Sequence, residues 1–185
     1  VITLLAETRD NETGEHIRRI GLFSGMLARR IGLPQKLVRE IETFAPHHDI
    51  GKVGIYDEIL RAPRKLREQE FLLMKEHTVH GHRILRDKPT LEVAAEIAYA
   101  HHERWDGNGY PRGLAGEEIP LAARIVSVAD VYDALRSERP YKRPWSHQAT
   151  VSEIRGERAR QFDPTVVDAF MSIAEEFARV YDENS

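Results

Sequence analysis

Apolar residues recur along most of this chain at the three-to-four-residue spacing of helices with one buried face. Over 16–31 the pattern is carried by Ile17, Ile20, Leu22, Phe23, Leu27 and Ile31. Thr13 is placed to cap that helix, with Glu15 in its first turn, where free backbone N–H groups favour an anion. Gly32 and Pro34 end it and open the next, expected to run to about His47. A helix is expected over 68–85 with Phe71, Leu72, Val79 and Ile84 toward one side. Another is expected over 90–105 with Val93, Ala94, Ile97 and Ala98 inward. Asp106-Gly107-Asn108-Gly109-Tyr110-Pro111 cannot continue it, because two glycines, an Asn and a Pro mark an irregular loop. Helix returns over 121–135 and 146–158. A last helix opens at Pro164, with Asp163 as cap and Val166, Val167, Phe170, Ile173 and Phe177 as its apolar face. No segment alternates apolar and polar residues beside a hairpin turn. The pattern predicts one all-α domain over 1–185, a bundle of about six to eight helices.

Composition narrows this picture. At 185 residues and 41% hydrophobic, the chain can build one sizeable core. A formal charge of -3 offers no broad basic field for a nucleic-acid polymer, so an anionic ligand needs a local cluster. The absence of cysteine removes disulfides, thiolate metal sites and cysteine nucleophiles, and fits a reducing, cytoplasmic setting. No apolar run reaches membrane-span length, and no membrane contact is expected in this segment. The start lacks both a Met and a signal-peptide pattern, so the expectation is a domain excised from a longer chain with an upstream regulatory domain.

Nine histidines draw attention to metal chemistry. A lone helical histidine is more often structural than a ligand, and His80, His82 and His147 fit that reading. The others sit near carboxylates or one another. Glu12 precedes His16 by four positions; His48-Asp49 falls where a helix gives way to Ile50-Gly51-Lys52; His77 lies in mid-helix; His101-His102-Glu103 precedes the glycine loop. Asp130 lies among small apolar residues, where an unpaired carboxylate faces a large desolvation cost that a metal, a cap or a salt bridge would remove. Imidazoles and carboxylates without thiolates suit Zn, Mn, Fe or Ni. Several of each suggest more than one ion, and two nearby ions can activate water and stabilise both oxygens of a phosphoryl displacement.

The motifs His48-Asp49-Ile50-Gly51-Lys52 and His101-His102-Glu103-Arg104-Trp105-Asp106-Gly107-Asn108-Gly109-Tyr110-Pro111 resemble the HD-GYP family, a branch of the HD phosphohydrolase superfamily. The likeness extends to the segment from Arg9-Asp10 to His16, to 119–135, to Arg139-Pro140-Tyr141-Lys142 and to Phe162-Asp163-Pro164. It implies hydrolysis of the bacterial second messenger cyclic di-GMP to linear pGpG, which many members carry on to GMP. It also implies two or three divalent metals, Fe or Mn first, with Zn or Ni compatible. Carried over by position, the ligands are Glu12, His16, His48, Asp49, His77, His101, His102 and Asp130. Asp49 is then the bridge between two ions, and Glu12 the extra carboxylate of a three-metal form. Asp49 and Lys52 are the implied catalytic residues, with Lys52 stabilising phosphate charge. Arg139, Lys142 and Tyr110 are the implied substrate contacts. Asp133, three positions after Asp130, either orients a histidine or is a surface charge. The implied partners are GGDEF-type cyclase domains, through loop 107–111, and a second copy in a homodimer.

Three positions depart from the family pattern. His47 replaces an apolar residue, Arg67 stands where a Thr or Ser cap is common, and 156–161 lacks a glycine close before Phe162. None removes an implied ligand. Two other readings compete with cyclic di-GMP hydrolysis. One is a non-catalytic module that binds metal or cyclic di-GMP. The other is a hydrolase of another cyclic dinucleotide such as cyclic GMP-AMP.

Overall fold

The computed structural model describes residues 14–138 and 143–184. All regular structure among them is helical, apart from two isolated β-bridges. The α-helices are α1 (Gly14–Ile31), α2 (Gln35–Phe44), α3 (Asp57–Leu60), α4 (Glu68–Leu85), α5 (Glu92–Ala100), α6 (Leu121–Arg136), α7 (His147–Gly156), α8 (Pro164–Ser172) and α9 (Ala174–Glu183). The expected all-α bundle is therefore present. Its extra segments are the four-residue α3 and a division of the last helix at Ile173, whose φ of -129° is not helical. Thr13, the expected cap of α1, lies outside the described residues.

The bundle is built around α1, which packs against α2, α6, α8 and α9. Phe23 of α1 stacks on Phe177 of α9 with ring centroids 4.4 Å apart, and the buried Tyr132 of α6 stands edge-on to both. Ile20, Leu27, Ile41, Ile97, Ile125 and Phe170 complete one continuous core. Burial of each such side chain stabilises the fold by roughly 1.5–3 kcal/mol before entropic losses. The caps behave as their chemistry requires. Ser146 accepts from the Ala149 N–H and Asp163 from the Thr165 N–H. At α4, where Arg67 replaces a hydroxyl cap, the Glu70 carboxylate accepts from the Arg67 N–H at 2.8 Å.

Two expectations are corrected. The helix expected over 90–105 is preceded by a 3₁₀ turn (Pro89–Leu91) and ends at Ala100. Beyond it the Trp105 and Asp106 N–H groups donate to the carbonyls of Gln161 and Arg160 instead of to the helix. The second concerns α4. Its bounds match the expectation, but Phe71, Leu72 and Ile84 are exposed and His77, Thr78, Gly81 and Leu85 are buried. The inward face of this helix serves a polar site as well as the core, so hydrophobicity alone misorients it.

Candidate metal centre

Five separate segments bring the histidines and carboxylates together. His16 comes from the first turn of α1 and His77 from the middle of α4. His101 and His102 follow the last residue of α5, and Asp130 comes from α6. His48 and Asp49 occupy the bend between two 3₁₀ turns, Ala45–His47 and Ile50–Gly54. The ligand atoms fall into two groups, one of Asp49, His77, His101 and His102 and one of His16, His48 and Asp130. Within each group they lie within 4.8 Å of one another. Asp49 faces both groups. Its Oδ1 is 3.2 Å from His77 Nε2 and 3.4 Å from His101 Nε2, while its Oδ2 is 3.3 Å from His48 Nε2.

The state of the rings follows from their other nitrogens. Nδ1 of His48, His77 and His101 lies 3.0, 2.7 and 3.0 Å from the carbonyls of Ala45, Met74 and Ile97. A carbonyl only accepts, so each Nδ1 carries a proton, and the neutral form of each ring turns a lone pair on Nε2 inward. Burial holds His101 below the ordinary imidazole value, and His102 well below it, which favours the neutral ligating form. Asp49 Oδ1, His77 Nε2 and His101 Nε2 are buried and none makes a hydrogen bond. Three acceptors converging without a donor is a costly arrangement unless a cation lies among them. The donor set therefore fits divalent metal. Burial pushes the Asp49 carboxyl up, but Lys52 and the surrounding imidazoles outweigh it and hold the group well below the usual range.

Supporting contacts set the positions of these ligands. Asp133, fully buried, accepts from His16 Nδ1 at 2.7 Å and from the Arg19 guanidinium. Burial raises the Asp133 carboxyl, yet the hydrogen bonds from His16 and Arg19 leave it below its ordinary value. It thus orients a histidine, the first of the two roles its spacing allowed. Gly51 makes the bend possible. A Cβ there would run into the His77 carbonyl and the Gly81 N–H, so only glycine lets the Asp49 turn lie this close to α4. Glu103 is buried and accepts from the Arg112 N–H at 2.8 Å and the Leu114 N–H at 3.0 Å, which ties down the glycine loop. Its position next to two histidines suggested a ligand neighbour, but nothing local to the sequence marked it as the loop's anchor.

Lys52 Nζ lies 2.7 Å from Asp49 Oδ2 with its side chain 11% exposed, so its charge sits at the edge of the centre. Tyr110, in the loop, stacks on His102 with centroids 4.8 Å apart. His80, His82 and His147 fall outside both ligand groups, as expected; His82 stacks on Tyr99 and His147 Nδ1 pairs with the Tyr132 hydroxyl. His47 is half-buried against Phe44 and also outside both groups. Glu12, Arg139 and Lys142 lie outside the described residues.

The HD domain family matches residues 1–166, which include every histidine and carboxylate of the two groups. The chain belongs to this HD-domain family. Its HDIGK and GYP motifs place it in the HD-GYP branch. It is 46% identical over 183 residues to a cyclic di-GMP phosphodiesterase of Thermotoga maritima, covering 98% of this chain and 50% of that one. It is 42% identical over 176 residues to 3'3'-cGAMP-specific phosphodiesterase 2 of Vibrio cholerae, covering 94% of this chain and 34% of that one. The domain thus spans half the length, or less, of these curated relatives. The fold matches the crystal structure of a cyclic GMP-AMP specific phosphodiesterase of V. cholerae with a TM-score of 0.73 at 18% identity, over 99% of this chain and 51% of that one.

Proposed function

We propose that this HD-GYP domain is a metal-dependent phosphodiesterase that hydrolyses cyclic di-GMP to pGpG, GMP or both. The observation that carries the proposal is the convergence of buried Asp49 Oδ1, His77 Nε2 and His101 Nε2 with no hydrogen bond to any of them, beside a second group of His16, His48 and Asp130 that the same carboxylate faces. Names of relatives at 46% and 47% identity support the substrate class. His77, His101, His102 and Asp49 would hold one divalent ion, and His16, His48 and Asp130, with Asp49 shared, a second. Glu12 is the candidate ligand for a third. Fe or Mn is the preferred metal, with Zn or Ni compatible with the same donors. Bound there, such ions supply an activated water and draw charge from the phosphoryl oxygens. The protein's own part is to fix the ligands' tautomers and to hold the Lys52 ammonium where phosphate charge must be stabilised. Tyr110 would line the substrate site, with Arg139 and Lys142 binding the phosphates.

A cytoplasmic location goes with this reading, as do contacts of loop 107–111 with GGDEF-type cyclase domains and a homodimer. No helix of the described residues is long and apolar enough to cross a membrane. The 42% identical relative named for 3'3'-cGAMP favours a second reading, in which the substrate is cyclic GMP-AMP. Incubating the Mn- or Fe-loaded domain with each cyclic dinucleotide and separating the products by chromatography decides between them. The first reading predicts pGpG, GMP or both from cyclic di-GMP. Turnover of cyclic GMP-AMP alone selects the second, and no turnover of either by a fully loaded protein leaves the non-catalytic module.

A further inference from the structure

Beside the candidate metal centre stands a cation that no carboxylate of the described residues holds. Lys75 lies on α4 two residues before His77. Its ammonium sits 4.9 Å from the centroid of the Phe71 ring and 5.0 Å from that of Tyr110. Among the described residues it forms no ion pair, although the surface carries many carboxylates. Phe71 and Tyr110 meet edge to face at 6.3 Å, and Tyr110 in turn stacks on His102. An unbroken line of rings therefore runs outward from the metal ligands, His102 to Tyr110 to Phe71, with one ammonium over its outer two members. Phe71 ends this line 45% exposed.

The arrangement has the parts of a purine site. Aromatic faces accept any base by stacking, and so give affinity without choice. An ammonium gives the choice. The outer edge of guanine presents two acceptors, N7 and O6, whereas adenine presents N7 beside an N6 amino donor. Lys75 has only donors to offer, so it matches guanine and opposes the amino group of adenine. Its place beyond Tyr110 suits the base of a nucleotide whose phosphate lies at the metals.

We propose that Phe71, Lys75 and Tyr110 form a guanine-recognition wall, in which the exposed Phe71 ring stacks the base, Tyr110 stands edge-on to Phe71 and closes the wall, and Lys75 selects guanine over adenine. The inference rests on the cyclic-dinucleotide reading above and extends its substrate contacts from Tyr110 to two residues of α4. A purely structural lysine, clamping the loop to α4 through the two rings, would affect both bases alike.

The test is binding rather than turnover. Hydrolysis-resistant phosphorothioate analogues of cyclic di-GMP and cyclic di-AMP are titrated calorimetrically into metal-loaded wild type, K75M, K75R and F71A. Met keeps the lysine stem over the rings, so K75M should fold and bind metal as wild type does. The wall predicts that K75M loses roughly 5- to 150-fold of its affinity for the guanine analogue, a fold-change that corresponds to one good base-edge contact, and keeps its affinity for the adenine one. K75R should retain the preference, and F71A should weaken both analogues together. Equal losses in K75M, or no loss, overturn the wall, as does wild type binding neither analogue. Measuring turnover of unmodified cyclic di-GMP by the same metal-loaded wild-type preparation separates the two claims. Turnover with Lys75-independent binding sinks the wall alone. Lys75-dependent guanine binding without turnover sinks the phosphodiesterase alone.

Discussion

At the scale of single residues, the centre depends on which nitrogen of each ring holds the proton. Backbone carbonyls decide this for His48, His77 and His101, and a carboxylate decides it for His16. Asp133 is therefore a positioning residue, and Asp133→Asn should lower metal affinity about 10- to 100-fold while leaving all ligands present. Competition titration with a chelator measures this; an unchanged affinity would show that His16 needs no such partner. A different residue bears on stability alone. Ala159 sits at φ 62°, the left-handed region, in the segment where the family pattern carries a glycine. Ala159→Gly should stabilise the domain by about 1 kcal/mol, read as a rise in the denaturant midpoint, since the strain of the Cβ outweighs the added entropy of the unfolded chain. The residues of the two groups were legible in the sequence as candidate ligands because each is a rare polar group in a recognisable motif. The role of Asp133 was narrowed only to orienting a histidine or standing as a surface charge, because a contact between residues 16 and 133 leaves no trace in local spacing.

At the scale of elements, the helices follow apolar periodicity closely where one face meets only the core. This is true of α8, whose Val166, Val167 and Phe170 are all buried. It fails on α4, whose inner face carries His77, Thr78 and Gly81 and whose Phe71 and Leu72 turn outward. The segment between α2 and α4 was equally opaque, since 3₁₀ turns have no apolar period to read. What fixes it is the approach of Gly51 to Gly81 and the His77 carbonyl. Gly51→Ala should cost about 1–3 kcal/mol of stability, as an overpacked backbone contact does, and should weaken metal binding because Asp49 moves with the turn. Thermal melts with and without metal check both parts. A variant as stable and as tightly metallated as wild type would mean that the close approach is dispensable.

At the scale of the whole molecule, the site exists only when the bundle is assembled. Its two ligand groups join α1, α4, α6, the end of α5 and the bend before Ile50, from His16 to Asp130 in sequence. Metal binding and folding are thereby coupled, because the unfolded chain holds no such arrangement. Asp49 is the residue on which both groups depend, facing His77 and His101 through one oxygen and His48 through the other. The direct test is the number of metal ions per folded chain, measured by elemental analysis in wild type and in Asp49→Ala after loading with Mn or Fe. The two-group centre predicts at least two ions per chain in wild type and loss of metal from the variant. A single ion in wild type, or a full complement retained by Asp49→Ala, would contradict it.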